Sequence, residues 1–222
     1  MMEKNGNRKG RSPSSLKGRI LRTARRVFGE YGYHGATTRM IAKASGIDIS
    51  TLHYHWGEKA ELYEAVILDI TRKFRTRLIE VERIIHGLPL SERMDIAIDM
   101  VADYLFRHPE VSNIVLFRYF GKTRHPSAVD FHIPEFVSDI ARSMNLCTDE
   151  VTPGISMQVL AMMNVIFNFI SGETFFRSTM NLRKAEYVDM VKKTAKLILI
   201  PAFAGEAGDQ RSEVGDQHSR QD

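Results

Sequence analysis

The stretch TTRMIAKASGIDISTLHYHWGEK, residues 37–59, decides how the chain is read. Thr37 and Thr38 carry hydroxyls able to cap the first N–H groups of a helix continuing through Met40, Ile41 and Ala44. Gly46 ends it, because glycine enters the left-handed conformation without a Cβ penalty. Asp48 then caps a second helix over 49–55, where its carboxylate gains from hydrogen bonding and from the helix dipole. Leu52 is the apolar anchor of that helix among Ser50, Thr51, His53, Tyr54 and His55. The pattern is a helix-turn-helix with one packing face and one face of donors and acceptors. Such a face suits the major groove of DNA, whose base edges present a hydrogen-bond code. An ordinary corner between two helices uses the same turn.

Charge favours the first reading. Residues 1–60 hold 12 Lys/Arg against 4 Asp/Glu, whereas the whole chain of 222 residues carries only +4, so the remainder is net negative. A polyanionic partner should therefore meet the N-terminal quarter. Solvated helix faces and lipid tethers also use basic runs. It is the coincidence of the basic excess with the capped turn that points to double-stranded DNA.

Working outward, Ile20, Ala24, Val27, Phe28 and Tyr31 give a first helix ending at Gly32. A long helix over 59–86 carries Leu62, Val66, Ile70, Phe74, Leu78, Val81 and Ile85 along one stripe. Ser91 is the expected cap of the next helix, which His108 and Pro109 break. Further helices are expected near 110–120, 134–145, 153–178 and 183–203, with a loop over 121–134. No stretch alternates with period two, so the expectation is an all-α protein of about nine helices: a flexible basic arm (1–13), a three-helix DNA-binding domain (14–58), a helical sensing and dimerisation domain (59–204) and a disordered tail (205–222).

The most apolar region, 155–170, is interrupted by Gln158, Asn164 and Asn168, and no apolar segment follows the initial methionines. The expectation is a cytoplasmic protein with no membrane partner. Cys147 is the single cysteine and allows no internal disulfide. No glutamate is followed three residues later by histidine, no His-x-x-x-His pair occurs, and nucleotide-binding glycine patterns and the Gly-x-Ser-x-Gly elbow are missing. His53 and His55 are two apart on a helix and face different ways. Neither an enzyme nor a metal or cofactor site is expected.

Phe28, Glu30, Gly32-Tyr33, Thr37-Thr38, Ile41-Ala42, Ala44, Gly46-Ile47, Ser50-Thr51-Leu52, Tyr54-His55-Trp56, Lys59 and Leu62 together resemble the TetR family of bacterial transcriptional regulators. The resemblance covers about 18–66; beyond it only the number and length of helices match. It implies a homodimer joined through the last two long helices, an operator-binding head and a ligand-responsive body, repression being the commoner mode. It further implies phosphate or groove-edge contacts for Thr37, Thr38 and Arg39, base reading for Ile49, Ser50 and Thr51, and phosphate contacts for Tyr54, His55 and Lys59. Trp56 matches an aromatic core position. The chain departs from the pattern at His53, where a tyrosine is usual, at Ile49 and Ser50, where lysine or proline and glycine are common, and at Ala60, where a glutamate is. Ile49 has no hydrogen bond to give but suits a thymine methyl.

The body offers Met100, Tyr104, Phe117, Phe120, Met163 and Phe167 as an adaptable lining for a small hydrophobic effector. Asn164 and Asn168, four apart on an apolar helix with Ser171, are read as facing a polar ligand group, the dimer partner or solvent. The last helix carries Tyr187, Val188, Val191, Ala195, Ile198 and Leu199, a stripe resembling the family's dimer-forming helix; burial within one chain is the competing reading. A DNA-binding protein without an effector, constitutive or architectural, shares the N-terminal reading.

Overall fold

The computed structural model describes residues 15–120, 128–147 and 149–205. The expected arm (1–13), residues 206–222 of the expected tail and most of the expected loop lie outside them. The described residues form ten helices and no strand: α1 Leu16–Gly35, α2 Thr38–Ser45, α3 Ile49–Trp56, α4 Lys59–Ile85, α5 Leu90–Arg107, α6 Pro109–Phe120, α7 Ala128–Ser143, α8 Pro153–Ser171, α9 Glu173–Thr179 and α10 Lys184–Ala204.

Two compact units divide between Asp69 and Ile70, inside α4. The sequence places the boundary at 58/59, where the helix starts. The difference has a packing cause: the first turns of α4 contribute buried Leu62, Val66 and Ile67 to the N-terminal unit. Tyr63 meets the Phe28 ring edge-on at 4.9 Å and the Tyr33 ring at 4.9 Å, so an aromatic cluster holds α4 to α1. Within this unit Ile20, Ala24, Phe28, Ile41 and Leu52 are buried, as their spacing predicts. Tyr31 is exposed instead, and α1 runs on past a kink at Gly32.

In the second unit α8 packs against α5, α6, α7 and α10. By length and composition it is apolar enough to cross a membrane, with mean hydropathy 1.5. Here Val159, Ile166, Phe167 and Ile170 are buried core. The α4 stripe continues through buried Phe74, Val81 and Ile85, and α5 buries Met94, Ile98, Ala102 and Leu105. Asp95, Asp99 and Asp103 of α5 face Lys192 and Lys196 of α10; Lys196 lies 2.9 Å from both Asp95 and Asp99. The Tyr187 hydroxyl donates to the Phe169 carbonyl at 2.7 Å. Burial, aided by the Glu173 charge, pushes this phenol up to about 12.

Three helix boundaries and one assigned face differ from expectation. The helix expected over 153–178 divides at Gly172 into α8 and α9, giving ten helices and not nine; a Cβ at Gly172 would lie 2.4 Å from the Phe176 ring, so only glycine lets that ring fold back over the turn. The helix expected to start at Pro134 begins at Ala128 and carries Pro134 inside, since a proline gives up one backbone donor without always ending a helix. Ser91 falls within the first turn of α5, where Pro89 is the cap position and no side chain caps it. The stripe assigned to dimerisation on the last helix is mostly internal: Tyr187, Val191, Ala195 and Leu199 are buried within one chain.

Candidate nucleic-acid interface and ligand cavity

The N-terminal site is built by caps. The Thr37 hydroxyl accepts from the Met40 amide at 3.2 Å, starting α2. At the other end Gly46 adopts φ +66°, and the Gly46 and Ile47 amides donate to the Lys43 and Ala42 carbonyls, both at 3.1 Å. Two residues later Asp48 accepts from the Thr51 amide at 2.7 Å and from the Thr51 hydroxyl at 2.8 Å. These bonds hold the Asp48 carboxyl below its usual range. The Glu58 amide donates to the Glu61 carboxylate at 2.8 Å, which starts α4.

These caps aim α3. Leu52 and Trp56 point inward, the Trp56 indole N–H donating to the Lys17 carbonyl at 3.3 Å with the Lys17 ammonium 4.6 Å from the ring centre. Trp56 is therefore packing, as its position implied. Ile49, Ser50 and Tyr54 face solvent, Tyr54 being 86 % exposed beside His55. Arg39 is exposed on α2, with Thr38 and Thr51 half-buried. The Thr51 hydroxyl has already donated its proton to Asp48, which leaves only its lone pairs and methyl group outward. His53 is half-buried, its Nδ1 lying 3.7 Å from Glu58. The Lys59 ammonium sits 4.5 Å over the Tyr33 ring, and partial burial lowers its pKa.

The second unit holds a cavity of about 490 Å³ lined by α4, α5, α7 and α8. Of the seven residues expected to line it, Met163 and Phe167 do. Phe117 and Phe120 are turned outward at the end of α6, Phe120 being 76 % exposed. Tyr104 instead stacks on Phe74 and lies against His108. Asn164 donates to the Leu160 carbonyl of its own helix, and Asn168 is exposed. Met100 is absent from the lining, although its neighbour Val101 belongs to it.

The sequence reading missed the polar wall. Arg93, Glu82 and Ser143 close a triangle: Arg93 Nη2 donates to Glu82 at 3.0 Å and to Ser143 Oγ at 3.1 Å, and Ser143 donates to Glu82. One signal was available. Arg93 stands at i, with Ala97 and Val101 at i+4 and i+8, a cation at the head of an apolar stripe, and all three line the cavity.

A three-helix head whose capped α3 turns polar side chains outward defines a helix-turn-helix protein. Residues 20–66 match the family model described as bacterial regulatory proteins, tetR family. Among curated proteins, the chain is 36 % identical over 72 residues to the HTH-type transcriptional repressor AcnR of Corynebacterium glutamicum, covering 32 % of this chain and 36 % of that one. It is 37 % identical over 68 residues to the HTH-type transcriptional regulator UidR of Escherichia coli K12, covering 31 % and 35 %. The match thus spans little more than a third of these relatives' length. A solved transcriptional regulator from Rhodococcus sp. shares the fold over 86 % of this chain and 98 % of its own, at 16 % identity and a TM-score of 0.62. The regulator FadR from Bacillus subtilis, solved in complex with stearoyl-CoA, does so over 82 % and 96 %, at 13 % identity and a TM-score of 0.56. Residues 20–66 are thus a TetR-family N-terminal region, and the described residues share the fold of these solved regulators.

Proposed function

We propose that the chain is a cytoplasmic transcriptional repressor that reads a palindromic operator through α3 and leaves it when a small hydrophobic ligand fills the cavity of its second unit. The observation that carries the first half is the outward face of α3, fixed by the Asp48 cap in a unit rich in exposed cations. Ile49 and Ser50 read base edges, with Thr51 contributing its methyl group and lone pairs. Thr37, Thr38, Arg39, Tyr54, His55 and Lys59 hold phosphates and set register, and His53 lends a weaker contact where relatives use tyrosine. AcnR, named a repressor, supports the direction of regulation.

The protein acts as a homodimer through α8 and α10. Met157, Ala161, Asn164 and Asn168 fall at i, i+4, i+7 and i+11 on α8, and Met157, Ala161 and Asn168 are exposed. Met190, Leu197 and Ile198 are exposed on α10, Leu197 at 75 %. This face, and not the buried one through Tyr187, is the dimer surface. Two heads must match successive major grooves about 34–36 Å apart. A ligand that favours a mismatched separation lowers DNA affinity, and DNA lowers ligand affinity by the same factor. The apolar cavity favours this reading over that of a DNA-binding protein without an effector, and a solved protein of the same fold holding stearoyl-CoA supports it.

Selection of bound duplexes from a random library at physiological salt tests the proposal. Enrichment of an inverted repeat, bound by an even number of chains, is the expected result. Salt-sensitive binding with no enriched sequence would overturn it in favour of an architectural role.

A further inference from the structure

An acid stands at the edge of the outward face of α3. His53 follows Ile49 by four residues and Ser50 by three, so its half-buried ring continues the exposed row those side chains begin. Just beyond it the helix ends: Gly57 adopts φ +68° and its amide donates to the His53 carbonyl at 2.8 Å, which turns the chain back. The turn sets the exposed Glu58 carboxylate 3.7 Å from His53 Nδ1, while the Glu58 amide is held by Glu61. The other charged groups around α3 are placed elsewhere. Asp48 is bonded to Thr51, Lys17 lies over Trp56 and Lys59 over Tyr33, and Arg39 and Lys43 stand exposed on α2. An uncancelled carboxylate on a face that meets DNA repels the phosphates. A neutral imidazole leaves that charge in place and offers one N–H; an imidazolium cancels it and offers two, one to each side of the ring.

We infer that His53 meets DNA as an imidazolium bridging Glu58 and a backbone phosphate, each head taking up a proton from solvent as it docks. The inference rests on the proposed DNA-reading role of α3 and deepens it by coupling that role to pH. A docked phosphate adds a second anion and displaces water, so the ring then lies between two negative charges that favour its protonated form. Affinity is therefore highest in mild acid and falls as pH rises above the ordinary imidazole range, about 6.5. Uptake of one proton per head sets the steepest fall, about tenfold per pH unit for each head.

The test is fluorescence-anisotropy titration of a short mixed-sequence duplex with the intact protein, at fixed ionic strength, from about pH 6.5 to about pH 8.5. A mixed sequence serves because phosphate contacts do not depend on bases. Binding should weaken about threefold or more per pH unit, and His53→Gln should lose most of that fall. Glu58→Gln, which removes the repelling acid, should bind several-fold tighter at the alkaline end and show a shallower fall. Calorimetry of the same binding in two buffers of different protonation heat reads the proton directly, and a residue that only packs would not move it. The heats should differ between buffers for the native protein, and by about one proton per head less for His53→Gln. Buffer-independent heats in the native protein, or a pH dependence unchanged in both variants, would overturn the bridge and leave the DNA-reading role standing. Absence of DNA binding at every pH would overturn that role itself.

Discussion

The two units build their sites over very different distances along the chain. In the head the deciding hydrogen bonds join residues three apart: Thr37 to Met40, Asp48 to Thr51, Glu61 to Glu58. In the body, the triangle at the cavity joins Glu82 to Ser143 across 61 residues, Arg93 to Ser143 across 50 and Arg93 to Glu82 across 11. A surface set by local caps is specified by a short word of sequence. A cavity wall set by helix packing is specified only once the helices meet.

The sharpest way to break this contrast is to damage one unit and watch the other. Phe28→Ala removes the ring at the centre of the head's aromatic cluster and should cost about 3–5 kcal/mol in chemical denaturation. DNA binding should be lost while calorimetric binding of a cavity ligand survives; loss of both together would show that the units do not stand apart. In the body, Tyr187→Phe should cost about 1 kcal/mol, the value of the hydrogen bond to the Phe169 carbonyl.

Opposite ends of the pH scale sharpen the comparison further. Tyr187 is pushed from 10.0 up to about 12, and Lys196 is raised because the Asp99 and Asp95 carboxylates outweigh its desolvation. Both groups have raised folded values, so their stabilisation is complete below pH 10 and is lost at higher pH, for Tyr187 as pH rises through about 12 and for Lys196 as it rises through that group's own raised value. Asp48 has a lowered value, so its cap stabilises above the ordinary carboxylate range and fails as pH falls through the folded value. Hydrogen exchange should show α3 opening first in acid, and Asp48→Asn, which caps without titrating, should remove that dependence. Early acid opening of α3 in both proteins would refute the role of the Asp48 charge.

The smallest effects concern recognition alone. Lys59→Ala should weaken binding to every DNA sequence and reduce the salt slope by about one, whereas Ile49→Ala should relax preference at one or two base positions. Equal loss of sequence preference in the two variants would contradict the division into phosphate-holding and base-reading residues.

The same contrast explains what could be read in advance. The helix-turn-helix, its caps and the inward role of Trp56 were legible because each depends on neighbours within one or two turns. The α4 stripe was legible because burial repeats with the helix period. Phe117 and Phe120 misled because an apolar side chain reports that it prefers burial, not which partner covers it, and α6 turns both outward. The spacing did not reveal that the Thr51 hydroxyl is committed to Asp48, since one cap can take both the amide and the hydroxyl of the same residue. Arg93 was passed over because a lone cation near a helix start usually reaches water; only the arrival of Glu82 and Ser143 from other helices makes it part of a wall.

The pairing of α5 with α10 carries a consequence for movement. Asp95, Asp99 and Asp103 repeat every four residues, as do Lys192 and Lys196, and Lys196 already spans two rungs at equal distance. Charges spaced by one turn on both helices form a track with a period of one turn, about 5.4 Å. Such a track favours several alignments and selects none. Selection falls to the buried face of α10, where Val191, Ala195 and Leu199 pack inward and the Tyr187 hydroxyl donates to the Phe169 carbonyl. The ion pairs thus act as a rail, and the buried face with its tyrosine as the pin that stops the slide.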